Sequence, residues 1–297
     1  MTRETLKKAQ NDRPLYLTTR EVANLLRVKE RKVYDLAARG GIPHRRVTGK
    51  LLFPSAEILA WIEGAGDSVP RERPPVITGS HDPLLDWAAR ESGSGLATLF
   101  NGSVDGLRRF AEGRAALAGI HIPEPGGWNV QTAEANGLRA CVLIAWAVRA
   151  RGLILSQQVQ DKVRQVADLK GKRVALRQPG AGGAAVFEDL LANAGLTPKD
   201  LVASKGLART ESDAAAAVAA GEADAAMGIE AMARQFHLPF LPLVEERFDL
   251  LIDRRAYFTE PVQVLLAFAQ EGPLERKAAS MGGYRLTDLG TVRWLSP

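Results

Sequence analysis

The sequence holds a single cysteine, Cys141, among 297 residues. One thiol cannot close an internal disulfide, which points to a reducing compartment. Cys141 lies in an apolar run and reads as a small buried core residue. Long hydrophobic runs are missing as well. The longest, near Cys141–Val148, is bounded by Arg139 and Arg149, well short of the roughly 20 residues a membrane helix needs. The N-terminal MTRETLKKAQNDRP has no apolar stretch and does not read as a secretory signal. A cytoplasmic protein with no membrane partner is the expectation. Histidine is scarce: His44, His81, His121 and His237 are widely separated, and no Cys/His cluster has metal-ligand spacing. No H-E-x-x-H, C-x-x-C or G-x-S-x-G motif occurs. The chain therefore predicts no catalytic residue, no metal and no cofactor. Acidic pairs such as Glu245-Glu246, beside Arg247, read as a solvated face.

What is present is ordinary globular composition, 46% hydrophobic and 25% charged, at a length that favours two domains. Residues 1–75 carry 15 Lys and Arg against 9 Asp and Glu, leaving 24 against 25 in the remainder. All the excess positive charge thus falls in the first quarter, the footprint of a polyanion-binding module attached to a neutral one.

The pattern divides the chain into a flexible N-terminus (1–14), a compact block (15–63), a Gly/Pro-rich linker (64–75) and a large C-terminal region (76–297). In the block, Thr18 or Thr19 suits an N-cap, with Glu21 able to close a capping box, and Val22, Leu25 and Leu26 share a helical face. A second helical period runs over Lys29–Arg39, with Val33, Leu36 and Ala37 inward, and ends at Gly40-Gly41. So tight a pair predicts a helix-turn-helix. Ile42–Phe53 reads as a hairpin about Thr48-Gly49, a wing bearing Arg45, Arg46 and Lys50. Pro54 opens a third helix with Ile58, Leu59 and Ile62 inward.

The stretch LTTREVANLLRVKERKVYDLAARGGIPHRRVTGKLLFPSAEILAWIE resembles the excisionase/MerR-type winged helix-turn-helix family over roughly 47 residues. The resemblance implies double-stranded DNA as partner, with the second helix entering the major groove. Lys29, Glu30, Arg31, Lys32 and Tyr34 become candidates for base and backbone contacts, with Thr19, Arg45, Arg46 and Lys50 beside them. One such module binds modestly, so a homodimer or homotetramer reading two half-sites is expected.

From Val76 onward, apolar runs alternate with helical patterns, predicting an α/β domain. Three segments share one feature: VITGSHDPLLD from Val76, LFNGSVDGL from Leu99 and VALRQPGAGGAAVFEDL from Val174. Each places small residues and free N–H groups where a helix begins, which attracts anions. The third turn lacks the Lys-Ser/Thr of a P-loop. GSVDGLRRFAEGRAALAGIHIPEPGGWN, LRQPGAGGAAVFEDLL, ESDAAAAVAAGEADAAMGIEAMA, FLPLVEERFDLLI and GGYRLTDLGTVRWL together resemble the periplasmic-binding-protein-like domain of molybdate/tungstate-type substrate-binding proteins. That resemblance implies two α/β lobes of the type II arrangement joined by hinge strands, with a ligand in the cleft. Carried over by position, the lining comprises Ser80, His81, Ser103, His121, Trp128, Asn129, Arg177, Gln178, Gly180, Ala181, Gly182 and Gly183. Arg177 is the expected positive charge for an anion. The family's G-S-G-T-R is here Gly180-Ala181-Gly182-Gly183-Ala184, which removes hydroxyl donors and a charge. A larger or less charged ligand, with Trp87 or Trp128 as apolar contact, enters the reckoning. The expectation is a ligand-responsive one-component transcriptional regulator. The alternative is an excisionase-type recombination or architectural accessory protein whose C-terminal domain is structural.

Overall fold

The computed structural model describes residues 14–47, 49–66 and 72–296. The expected flexible N-terminus up to residue 13, linker residues 67–71 and Thr48 of the hairpin turn lie outside the described residues. The chain separates into two compact units, Met1–Arg71 and Glu72–Pro297.

In the first unit, helix α1 (Thr19–Leu26) opens with a complete capping box. The Thr18 hydroxyl accepts from the Glu21 N–H at 3.3 Å, and the Glu21 carboxylate accepts from the Thr18 N–H at 2.7 Å, satisfying two donors that a helix start leaves free. Arg27 stops the helix in the left-handed region (φ 54°). Helix α2 (Glu30–Ala38) follows and ends where the Gly41 N–H returns to the Leu36 carbonyl at 2.8 Å. Strand β1 (Tyr16–Leu17), the wing strand β2 (Arg45–Val47) and β3 (Lys50–Pro54) form a three-stranded sheet in the order β1-β3-β2. Helix α3 starts at Ser55 and runs to Gly66, so Pro54 ends a strand instead of opening the helix. Val22, Ala23, Val33, Ala37, Ile42, Phe53 and Ile58 make the core. Leu25, expected inside, is 43% exposed. At 3.6 residues per turn, Val22, Leu26 and Ala23 span one arc and Leu25 falls about 60° outside it.

The second unit is a two-lobed α/β structure on one mixed sheet. Its first lobe contains the parallel strands β4 (Val76–Gly79), β5 (Ala97–Phe100) and β6 (Leu117–Ile120). Around them lie α4 (Pro83–Glu91), α5 (Ser103–Ala111), a small hairpin of β7 (Pro123–Glu124) and β8 (Gly127–Trp128), and α6 (Val130–Ala135). Strand β9 (Cys141–Leu155) then leaves for the second lobe. That lobe holds the parallel strands β10 (Arg173–Ala175), β11 (Val202–Ala203) and β12 (Ala225–Ile229), with α7 (Gly182–Asn193), α8 (Glu211–Ala219) and α9 (Glu230–Gln235). Strand β13 (Phe240–Asp253) returns to the first lobe, which α10 (Glu260–Ala269) and α11 (Gly272–Met281) complete. β14 (Tyr284–Arg285) and β15 (Val292–Leu295) both pair with β9. Strand–helix–strand crossovers keep each lobe's strands parallel. β9 and β13 run antiparallel along nearly their whole length.

The two long strands feed two cores. Val142, Ile144 and Trp146 of β9 join Ile77, Leu84, Leu117 and Phe248 in the first lobe. Leu153 and Leu155 join Val174, Phe187, Leu191 and Met227 in the second. Between these apolar ends each strand becomes charged, and that is where the lobes meet.

Candidate ligand site and nucleic-acid interface

The three glycine turns converge. Gly79 ends β4 at φ +103°, and a Cβ there would sit 2.1 Å from the Gly119 carbonyl oxygen, so no side chain fits. That packing seats Ser80 beside α5. The Ser80 and Ser103 hydroxyls lie 2.8 Å apart, and Ser103 Oγ accepts from the His121 N–H at 3.2 Å. The third turn approaches from the other lobe. A Cβ on Gly182 would fall 2.2 Å from the His121 carbonyl oxygen, which reserves that position for glycine. Gln178 Nε2 donates to the Asn101 carbonyl at 3.3 Å across the same seam. Among the described residues, helices α5 and α7 both start here without a side-chain cap; the Val104 N–H of α5 donates to the Gly180 carbonyl at 3.5 Å and the Ala184 N–H of α7 to the Ala181 carbonyl at 2.9 Å, which leaves the remaining first-turn N–H groups for another acceptor.

Beneath the turns runs a buried chain of alternating charge. Tyr284 Oη donates to Asp82 Oδ2 at 2.7 Å, and Arg149 Nη1 donates to the same oxygen at 2.8 Å. Arg149 Nη2 also pairs with Glu246. Arg151 joins Glu246 at 2.5 Å and Glu211 at 2.7 Å, and Arg177 meets Glu211 at 2.8 Å. The chain thus passes from α4 of the first lobe, through the hinge strands β9 and β13, to the first residue of α8 in the second lobe. Three arginines face three carboxylates, all but fully buried. Burial alone would raise Glu211 and Glu246, but the neighbouring guanidiniums hold both well below the usual carboxylate range. Burial lowers His121 and keeps it neutral, against the pull of Glu246. Its Nδ1, 3.0 Å from Glu246 Oε2, donates, because a carboxylate can only accept. Arg151 Nη1 is buried with no hydrogen-bond partner among the described residues. It would lie 2.7 Å from a Cβ on Gly183, against the start of α7.

The residues expected to line a cleft are distributed unevenly. Ser80, Ser103, His121, Ala181, Gly182 and Gly183 gather at the seam. Gln178 and Gly180 border its outer mouth, a groove of about 370 Å³ shared with Asn101 and Arg108. Arg177 belongs to the ion chain. His81 stays within the first lobe, its ring edge-on to Phe100 at 5.6 Å and its pKa lowered by burial. Trp128 packs on the second lobe's core. Asn129 has its amide committed inside the first lobe: Oδ1 accepts from the Ile122 N–H and Nδ2 donates to Asp249, each at 2.7 Å. Trp87 packs on Phe268 at 5.5 Å.

Sequence reasoning missed Asp82, Arg149, Arg151, Glu211, Glu246 and Tyr284. The reading of Glu245-Glu246 as one solvated face holds for Glu245, which is exposed and pairs with Arg285, but fails for Glu246, which is 0% exposed. Adjacent strand residues point to opposite faces. The available signal was Arg149-x-Arg151 inside an apolar strand, two charges on one face with apolar residues on either side.

In the first unit Lys29 at the N-cap of α2, Glu30, Arg31, Lys32 and Tyr34 on α2, and Arg45, Arg46 and Lys50 on the wing, are all exposed, with Arg45 paired to Glu57 at 2.7 Å. Thr19 is buried at the start of α1.

Residues 85–270 match the model of the PBP superfamily domain. The chain belongs to that superfamily. Residues 16–66 match a helix-turn-helix domain. Joined in one chain, a helix-turn-helix domain and a PBP-like domain have the organisation of a ligand-sensing regulatory protein, and both are binding folds rather than catalytic ones. The uncharacterized protein YvgK of Bacillus subtilis (strain 168) is 24% identical over 260 residues, covering 79% of this chain and 84% of that protein. Two solved structures share the fold at a TM-score of 0.51. One is a phosphate ABC transporter-type substrate-binding protein of Clostridium perfringens with bound phosphate, 14% identical over 73% of this chain and 99% of that one. The other is a hydrogen peroxide-bound mutant of Corynebacterium glutamicum OxyR, 11% identical over 87% of this chain and 88% of that one. Among the described residues no helix is long and apolar enough to cross a membrane, and no group of three His, Cys, Asp or Glu is arranged to hold a metal ion.

Proposed function

We propose that this chain is a one-component transcriptional regulator. Its winged, excisionase/MerR-type head binds double-stranded DNA in the cytoplasm as a homodimer or homotetramer. A small anion held between the lobes sets its affinity for DNA. The observation that carries the reading is the Arg151 Nη1 donor, wholly buried and unpartnered against the start of α7. An anion there would accept from it, from first-turn N–H groups of α5 and α7, and from whichever of the Ser80 and Ser103 hydroxyls is not donating to the other. Molybdate and tungstate belong to the class, but the paired charges of the ion chain and the missing hydroxyls at Gly180–Ala184 favour an anion of low charge. Ligand and DNA communicate only if the anion binds one lobe arrangement better than the other.

The test is a thermal-shift panel on the full chain with molybdate, tungstate, phosphate and small carboxylates, followed by DNA-binding titrations with each hit. A true ligand at a hundred times its Kd adds about 2.7 kcal/mol, and DNA affinity should shift with it. The second reading is the architectural accessory protein with a structural C-terminal domain. It is favoured by the seam being closed by the chain's own contacts, backbone against backbone at Gly182 and His121. It prevails if every tight ligand leaves DNA affinity unchanged.

A further inference from the structure

The second lobe contains a pocket of about 210 Å³ between the end of β10, the start of α7 and the loop carrying Leu207. Its wall is mostly apolar: Leu176, Phe187, Leu191, Pro198, Leu207 and Met227. The backbone builds it. The Ala208 N–H donates to the Leu176 carbonyl at 2.9 Å and the Gln178 N–H to the Ala208 carbonyl at 3.2 Å, pinning the loop beside β10. One cation lines the pocket, Arg177, whose side chain is only 6% exposed. Its Nη1 faces Glu211 and its Nη2 donates to the Arg209 carbonyl at 3.3 Å, but its buried Nε–H has no partner among the described residues. The other charged lining residue, Glu188, is exposed.

An apolar chamber whose lining includes an arginine with an unspent guanidinium donor matches one ligand chemistry. We infer that this pocket binds a small organic carboxylate, its apolar body among Phe187, Leu191 and Met227 and its carboxylate on Arg177. An apolar cavity of about 150 Å³ holds benzene, so this chamber suits a ring or branched chain of similar size carrying one carboxylate. An inorganic oxyanion has no body to fill it, and a neutral analogue leaves Arg177 Nε–H unspent. Because Arg177 is also the last link of the ion chain, a carboxylate here draws on the same guanidinium that holds Glu211. The pocket lies inside the second lobe, apart from the seam between the lobes, and only its regulatory part rests on the ligand-sensing reading.

The experiment uses the full chain with benzoate, isovalerate, benzamide and inorganic phosphate, read by isothermal titration and thermal shift. Benzoate or isovalerate should bind at least tenfold more tightly than benzamide and phosphate, raising the unfolding midpoint by roughly 4 °C at ten times Kd. Ala184→Phe, which fills the chamber, should weaken binding at least tenfold. Leu207→Trp, at the exposed rim, should do the same without touching the core. Failure of both carboxylates to bind, or binding unaffected by both substitutions, overturns the assignment. Carboxylate binding that leaves DNA affinity unchanged supports the pocket and removes the sensory reading. An inorganic anion that shifts DNA affinity while both carboxylates fail keeps the sensory reading and removes the pocket.

Discussion

The head and the body of this protein use arginine in opposite ways. On the wing, Arg45, paired with the exposed Glu57, and Arg46 stand in solvent, and Lys50 lies opposite Val47 on the neighbouring strand. In the body, Arg149, Arg151 and Arg177 are withdrawn from water, each against one or two carboxylates. A solvated charge contributes little to the fold and stays available to a polyanion. A buried charge is costly to desolvate and persists only with partners in good geometry. The same side chain thus marks a binding surface in one unit and a joint between lobes in the other, and burial decides which.

The sharpest way to break the comparison is at the centre of the joint. Glu246 serves Arg149, Arg151 and His121 together. Glu246→Ala leaves two buried guanidiniums short of a partner and should destabilise the body by about 3–5 kcal/mol, measured by urea denaturation. A loss near zero would mean that water reaches the joint and that the chain of charges is not a structural link.

Asp249, three residues along β13, tests whether burial alone governs a carboxylate there. It has no arginine partner as close, and burial pushes its pKa from 3.8 up to about 6 despite the hydrogen bond from Asn129. A folded value above the unfolded one means that its contribution is full below about pH 4 and is lost as pH rises through about 6. Glu211 and Glu246 run the other way, contributing at neutral pH and losing it in acid. Against Asp249→Asn, which does not titrate, the native chain should lose up to about 3 kcal/mol of relative stability between about pH 4 and pH 7. Parallel pH–stability curves for the two would contradict the assignment.

The head should respond in binding, not in folding. Arg45→Ala with Arg46→Ala should weaken affinity for all duplex sequences alike and lower the salt slope by about 1 for each phosphate no longer neutralised, while the urea midpoint stays put. Unchanged affinity across a salt titration would remove the wing from the interface.

Much of the architecture was legible because it follows periodicity and turn chemistry. The Thr18/Glu21 capping box, the hairpin expected within Ile42–Phe53 and the strand–glycine–helix turns at Gly79, Gly102 and Gly180 all rest on local rules. The joint did not show, because its members are far apart in sequence: Asp82 and Tyr284 are separated by 202 positions and Arg151 and Glu246 by 95. No window along the chain reveals that such residues meet. Arg149-x-Arg151 was the one local sign, and it resembles the charged punctuation that ends an apolar run. Asn129 shows the reverse situation. The family resemblance placed it in the cleft lining by position, and its amide is taken up by Ile122 and Asp249.

The smallest expected effect lies one residue from the largest. Glu245 precedes Glu246 on β13, carries the same side chain, and forms a two-pronged pair with Arg285 at 2.7 and 3.1 Å. Both glutamates are held by guanidinium groups at hydrogen-bonding distance, Glu245 by one and Glu246 by two. Glu245, however, points to the outer face, where its pairing with Arg285 lowers its pKa while water competes for both partners. Glu245→Gln should leave the urea midpoint unchanged within repeat error, in the same buffer where Glu246→Ala unfolds the body or shifts it furthest. Equal losses at the two positions would show that ion-pair geometry, not exclusion of water, carries the stability of this strand, and the contrast between head and body would lose its physical basis.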